Sequence, residues 1–416
     1  MGWNSWNSGI PLTEQTVTAT VDAMVDSGMR DAGYRYVNLD AGWAAARRGA
    51  DGRLQADPQR FPHGIAELAR YAHDRGLELG LYASPFDEIC GQAPAIGSAG
   101  HEDTDARTFA EWGVDYLKYD WCRADANHPE QVKYFTAMRD ALRHSGRRIV
   151  YSINPNSSAD LTAGMRFDWS QIAELSRNTM DLVPAWSDAA MWSRGLAGVR
   201  EEFGAAAPVA DRSGPGHWND PDMLVVGLGW GEFAAAHPGM LSGLGAPGTV
   251  ALDELEKPDL TAQLVARVAA QRPDLTEAEQ QAHFSLWALL AAPLLAGNDI
   301  RSMSAQTRDI LTNHDVIAVD QDPLGVQGAP LPGDGRVIVK RLSDGSAAVA
   351  LLNADAPPRV ITTDAHTVGL PDDPCYRVRD LWSHTDSTTA GPIVPATIPA
   401  HGVAMFRVTA GCPASS

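Results

Sequence analysis

The chain has 416 residues, 44% of them hydrophobic and 20% charged, which is globular composition and excludes a largely disordered chain. A formal net charge of −19 argues against nucleic acid or an anionic membrane as the main partner, because both demand a basic surface. No apolar run approaches the ~20 residues that span a bilayer; the longest candidate, 284–296, is too short and contains Pro293.

From the N-terminus to about residue 315, short apolar strands alternate with helical patterns. Clear strands are expected at 34–40 (YRYVNLD), 77–83 (LELGLYA), 114–120 (VDYLKYD) and 148–154 (RIVYSIN), with weaker ones at 1–6, 173–177, 222–226 and 294–296. Helices fall between them. Residues 63–75 put Ile65, Leu68, Ala69 and Ala72 on one face and stop at Gly76. Residues 129–145 close on Gly146, and 276–290 open with Thr276 and Glu279 in a capping box. Near-continuous apolar strands separated by helices read as parallel sheet, and eight such units favour a closed (β/α)8 TIM barrel over an open sheet. The stretch 228–275 is rich in Gly, Ala and Pro, then helical, and is long for a connection. After strand seven it would lie on the catalytic face as a lid or substrate-binding flap; a surface insertion or oligomer contact is the alternative. Beyond about Gly325 the segments RVIVKRL, SAAVALLN, RVITTD, YRVRDLW and GVAMFRV are short, β-branched and separated by turns. They predict a small C-terminal antiparallel β-sandwich. The expected organisation is a barrel over 1–325, with an insertion at about 228–275, and a β domain over 326–416.

Active sites of such barrels gather at the C-terminal ends of the strands. Those ends offer Trp3 and Trp6, then Asp40 followed by Trp43, then Tyr82, then Lys118 and Asp120, which face the same way because one residue separates them. Further on come Asn154, Arg177, Asp181 and the run Trp218-Asn219-Asp220-Pro221-Asp222. Carboxylates and aromatic rings around one mouth suit a sugar: carboxylates do acid–base and nucleophilic work, and ring faces stack on pyranoses. Each residue also has a plain structural role open to it. Asp120 could pair with Lys118, Asp222 could hold the turn after Pro221, and Trp3 and Trp6 could be core. Convergence on one face carries the reading.

Cys90, Cys122, Cys375 and Cys412 show no CxxC spacing for zinc. Two disulfides, one near each end, would imply an oxidising compartment; four buried thiols are the alternative. The histidines include no HxH pair and HExxH is absent, so no metal is expected, and no dinucleotide or phosphate loop calls for a cofactor. Met1 opens directly onto GWNSWN, without a basic or apolar leader. An oligomer is open, through the 228–275 stretch, but no motif indicates one.

The segments MGWNSWN, YRYVNLDAGW, DPQRFPHGI, GHEDTDARTFAEWGVDYLKYDWC, GPGHWNDPDMLVVG, HFSLWALLAAPLLAGNDI and DVIAVDQDPLGVQG resemble the α-galactosidase family, glycoside hydrolase family 27. The resemblance runs over 1–326 apart from the insertion. It implies a retaining, exo-acting α-glycosidase on an α-linked oligosaccharide or glycoside, with Asp120 of YLKYD as nucleophile and Asp181, four residues after Arg177, as acid/base. Trp6, Asp40, Tyr82, Lys118 and Arg177 resemble sugar binders; Asn154 and Asp222 join them as candidates from their strand ends. It also implies a loop disulfide between Cys90 and Cys122, and export. The retaining mechanism needs one carboxylate ionised and the other protonated, about 5–5.5 Å apart. Lys118 favours an ionised Asp120, and Met180, Leu182 and Val183 are expected to desolvate Asp181.

Three departures bear on the sugar. The family often carries two adjacent aspartates after strand two, gripping the 4- and 6-hydroxyls of galactose; here the second is Ala41. Residues 152–158 (SINPNSS) stand where a larger acidic or cysteine-rich element is common, and Ser176 replaces the usual tryptophan before the arginine. α-N-Acetylgalactosaminides, β-L-arabinopyranosides and α-1,6-glucans are therefore alternatives within the same mechanism. A non-catalytic carbohydrate-binding barrel is the alternative outside it, and it has no need of a nucleophile paired with an acid.

Overall fold

The computed structural model describes residues 1–90, 96–123, 127–156, 162–238, 258–393 and 397–412. Eight parallel strands form one sheet: β1 (Gly2–Asn4), β2 (Tyr36–Asn38), β3 (Glu78–Ala83), β4 (Tyr116–Asp120), β5 (Val150–Asn154), β6 (Leu175–Arg177), β7 (Trp218–Asp220) and β8 (Leu295–Ala296). Neighbours pair in chain order, and β8 returns to β1. The ring closes through Leu224, whose N–H donates to the Leu295 carbonyl at 2.7 Å and whose carbonyl accepts from Gly297 at 2.9 Å.

Seven strands lie within their predicted spans. Strand seven does not: it was expected at 222–226 and runs over Trp218–Asp220. Pro221 supplies no N–H, and Asp222 sits at φ 77°, so the ladder breaks there. The apolar run after it rejoins the sheet only at Leu224.

The helices follow their patterns. Gly64–His73 buries Ile65, Leu68, Ala69 and Ala72. His128–His144 is capped by the Asn127 side chain on Glu130 N, and Gly146 follows at φ 81°. Glu277–Leu290 starts from the Thr276–Glu279 capping box, and every residue from Ala282 to Leu290 is buried. The C-terminal part of that helix is buried all round because it lies between the barrel and the C-terminal sheet. Across this junction the Trp382 indole donates to Ser285 Oγ at 3.0 Å, and the buried Lys340 ammonium donates to the Ala288 carbonyl at 3.0 Å.

The C-terminal part is a six-stranded antiparallel sheet ordered Ala329–Leu331, Asp334–Arg341, Ala347–Leu352, Val403–Ala410, Tyr376–Asp380, Asp386–Thr389. A short ladder of Thr363–Asp364 with Pro392–Ile393 closes over a second core that includes Val349, Leu351, Ile361 and Ile393. Cys90 is bonded to Cys122 and Cys375 to Cys412, so the cysteines are disulfides rather than buried thiols. Among the described residues no helix is long and apolar enough to cross a membrane, and no cluster of His, Cys, Asp and Glu could hold a metal ion.

Candidate active site

Strand register builds the site. Tyr82 on β3 is opposite Lys118 on β4, Asp120 is opposite Asn154 on β5, and Arg177 on β6 is opposite Asp220 on β7. Alternation within β4 then sends Lys118 and Asp120 to the same side. A cavity of about 620 Å³ opens at this end of the barrel. Its wall includes Trp6, Asp40, Tyr82, Lys118 and Asp120 from the first half of the ring, and Asn154, Arg177, Asp181 and Asp222 from the second. Cys90 and Cys122, joined by a disulfide, border it too.

Lys118 is the hub on one side. Its ammonium donates to Asp40 Oδ2 at 2.8 Å and stands 3.7 Å from Asp120 Oδ2. Burial opposes its charge, but the Asp120 and Asp40 carboxylates outweigh that and push its pKa up. It also lies 5.3 Å from the Tyr82 ring centre. Asp40 is held by Asn4 Nδ2 at 3.1 Å on its carboxylate and by Ser5 Oγ at 3.0 Å on its N–H. Ala41 donates its N–H to Asp40 Oδ1 at 2.9 Å and presents no polar group of its own.

Asp120 is buried, and its Oδ1 has no hydrogen-bond partner among the described residues. Burial pushes its pKa up to about 6, against the pull of Lys118 and with the push of Asp40. The group is ionised above that value and neutral below it. If Asp120 acts as a carboxylate, kcat/KM falls with unit slope as the pH drops below about 6; a profile flat down to about pH 4 would contradict that role.

Arg177 is the hub on the other side. Its guanidinium donates to Asp222 Oδ1 at 2.9 Å and to Asp181 Oδ1 at 3.0 Å, and also to the Met180 carbonyl. Burial opposes its charge, and Asp222 and Asp181 more than restore it. The backbone leaves Arg177 through a crowded turn. Gly164 packs so closely that a Cβ there would stand 1.8 Å from the Arg177 carbonyl oxygen. Asn156 ties the turn together, donating to the Thr179 carbonyl at 2.7 Å and accepting from Gly164 N at 2.6 Å.

Asp181 forms a two-residue parallel ladder, Asp181–Leu182 with Leu196–Ala197. Met180, Leu182 and Val183 are buried as expected, yet the Asp181 side chain is 50% exposed, against 9% for Asp120. The desolvation expected of Asp181 is therefore absent from this structure.

Asp222 has both oxygens engaged by protein: Oδ1 by Arg177 and by Met223 N at 2.8 Å, Oδ2 by Leu182 N at 2.8 Å. Left-handed backbone costs roughly 1–2 kcal/mol for a residue with a Cβ, least for Asp and Asn, and these bonds offset it at about 1 kcal/mol each. Trp6 is half-buried and tilts against His237, ring centres 5.1 Å apart. Trp3, by contrast, is wholly buried, with its indole on the Asn298 carbonyl, and belongs to the core. Trp43 is core as well, donating to the Tyr82 carbonyl.

Thr179 and Arg194 in the wall escaped sequence reasoning, and Asn156 and Phe233 were covered only as parts of the 152–158 loop and the 228–275 stretch. Phe233 comes from the helix Trp230–Ala236 in the 228–275 stretch. Much of that stretch, 239–257, lies outside the described residues, as do Ser157 and Ser158 of the Asn154 loop.

A (β/α)8 barrel with paired carboxylates and basic hubs around one mouth, followed by a β-sandwich, is the architecture of a barrel glycoside hydrolase. Residues 7–237 and 270–322 match the family model described as alpha galactosidase A, and 332–408 match the alpha galactosidase C-terminal beta sandwich domain. The chain belongs to the α-galactosidase family. It is 34% identical over 426 residues to alpha-galactosidase A of Cellvibrio japonicus, covering 98% of this chain and 91% of that one. It is 37% identical over 412 residues to the alpha-galactosidase of Coffea arabica, covering 98% and 93%. Among solved structures, alpha-galactosidase I from Mortierella vinacea superposes with a TM-score of 0.81 at 29% identity, covering 100% of this chain and 98% of that one. The Saccharomyces cerevisiae enzyme with raffinose gives a TM-score of 0.77 at 26% identity, covering 98% and 97%.

Proposed function

We propose that this chain is a retaining, exo-acting α-galactosidase that releases terminal α-linked galactose from an oligosaccharide or glycoside. One observation carries the reading: Arg177 holds a half-exposed Asp181 at the wall of a cavity that is also lined by a buried Asp120 beside Lys118. Asp120 attacks the anomeric carbon and forms a glycosyl-enzyme, while Asp181 protonates the leaving oxygen. Asp181 then deprotonates the water that frees the sugar with retained configuration. Lys118, Asp40, Arg177 and Asn154 bind sugar hydroxyls, Tyr82 and Trp6 border the ring, and Asp222 acts by holding Arg177. The two disulfides support an oxidising, extracytoplasmic setting.

The test is a panel of 4-nitrophenyl glycosides: α-galactoside, α-N-acetylgalactosaminide, β-L-arabinopyranoside, α-glucoside and α-isomaltoside. Fastest release from the α-galactoside is expected, and failure to cleave any of the panel would overturn the reading. Ala41 favours a second activity on β-L-arabinopyranoside, which is a galactose ring without its C6 hydroxymethyl group and so loses nothing where the second aspartate is missing. Ala41→Asp is therefore expected to raise the preference for α-galactoside over β-L-arabinopyranoside by about tenfold or more, since a buried polar partner discriminates a hydroxyl strongly. An unchanged ratio would remove Ala41 from the specificity of the site.

A further inference from the structure

The helix Glu277–Leu290 does more than fill the junction between barrel and sandwich. Gln280, His283 and Trp287 are spaced three and four apart and so lie on one helix face. Each is hydrogen-bonded to backbone of the broken end of strand seven. The Trp287 indole N–H donates to the Asp222 carbonyl at 2.8 Å. His283 Nε2 accepts from Val225 N at 3.1 Å, and Gln280 Oε1 accepts from Gly227 N at 2.9 Å. His283 and Trp287 brace one another edge to face, with ring centres 4.1 Å apart. All three bonds fall where Pro221 has broken the sheet and where only Leu224 keeps a ladder partner. The helix face thus replaces the missing strand pairing and fixes the path of residues 222–227.

The first of these bonds matters most, because Asp222, at φ 77°, is the left-handed residue of this stretch that carries a side chain, Gly227 at φ 73° being the other. A backbone held in that conformation aims its carboxylate at Arg177 and at Leu182 N. Arg177 in turn donates to Asp181, and Leu182 is its chain neighbour. If the peptide after Asp222 turns, both supports of Asp181 shift together.

We propose that Trp287 is a positioning residue for the proton-transfer step, acting through the Asp222 carbonyl on Arg177 and Asp181. The inference rests on Asp181 being the acid/base, as read above. Its signature is selective. A displaced acid slows expulsion of a poor leaving group, whereas a nitrophenolate leaves without protonation.

Trp287 is replaced by benzothienylalanine, which keeps the bicyclic shape and lacks only the N–H, and in parallel by Phe. The two variants and Asp181→Ala are assayed on 4-nitrophenyl α-galactoside and on an α-galactosyl disaccharide, with thermal melting as the check on folding. For the benzothienylalanine variant, kcat/KM on the disaccharide is expected to fall roughly 10- to 100-fold while the nitrophenyl substrate stays within about threefold, as for a misaligned acid in an otherwise intact site. Trp287→Phe is expected to show the same selectivity. Equal losses on both substrates, or no loss on either, would overturn the proposal while Asp181→Ala still discriminates between them. If Asp181→Ala itself fails to discriminate, the acid/base reading falls and takes this inference with it.

Discussion

Asp120→Ala is expected to lower kcat on every α-galactoside by at least about 10⁴-fold, because no second carboxylate can take over covalent attack at the same point of the cavity. Asp40, the other carboxylate beside Lys118, is committed to Lys118 and Asn4. Folding should survive. Lys118 keeps its shorter ion pair, to Asp40 at 2.8 Å, when the contact of 3.7 Å to Asp120 is lost. The variant also removes a carboxylate whose burial is unfavourable when ionised. Azide tests the assignment. In Asp120→Ala a small anion can occupy the vacated volume and displace an activated leaving group directly, giving the β-galactosyl azide with inverted configuration. Activity near that of the parent protein would remove Asp120 from the role, as would a rescued product of retained configuration.

Much of this site was legible in the chain, for reasons that differ from residue to residue. Lys118 and Asp120 were readable because strand alternation is rigid: two residues apart at a strand end share a direction, and the barrel fixes which end is the mouth. Arg177 was readable as the last residue of a strand. Asp181 was placed at the mouth as the residue to which strand six leads, but its role came only from the family resemblance, because the chain after Arg177 follows tertiary contacts such as Asn156 on the Thr179 carbonyl. Asn156, Thr179, Arg194 and Phe233 belong to turns and short helices whose approach to the cavity depends on contacts far apart in sequence. The strand-seven shift has a definite cause. MLVV looks like a buried strand by composition, but Pro221 and the left-handed Asp222 break the ladder and the helix Glu277–Leu290 supplies its hydrogen bonds. Among the terminal strands, Asp386–Thr389 is largely exposed, and Ala329–Leu331 has no buried residue. Neither offers the hydrophobic alternation that marks a half-buried strand. The helix Gly64–His73, with one apolar face, was legible, whereas Glu14–Asp26 and Glu102–Trp112 were not singled out.

Asp181→Ala is expected to separate the two halves of the reaction. On an α-galactosyl disaccharide, whose leaving sugar must be protonated, kcat/KM should fall by about 10²- to 10⁴-fold. On 4-nitrophenyl α-galactoside the first step needs no acid, so kcat/KM should change little. The second step still needs Asp181 as base, so kcat should drop and a burst of nitrophenolate should precede a slow steady state. The exposure of Asp181 makes this outcome specific. Its side chain is 50% exposed at the cavity wall, so truncation to Ala leaves a solvent-accessible gap rather than a collapsed core. Arg177 retains Asp222 as its carboxylate partner and so should stay in place. An anion entering that gap attacks the glycosyl-enzyme from the face the aglycone left, so azide should restore turnover and yield the α-galactosyl azide. That product has the configuration opposite to the one expected from Asp120→Ala. The pair of variants with a single anion therefore distinguishes nucleophile from acid/base on product stereochemistry alone. Equal losses on both substrates without a burst would mean that Asp181 binds sugar and does not move the proton. The same azide configuration from both variants would mean that the two carboxylates do not act from opposite faces of the anomeric carbon.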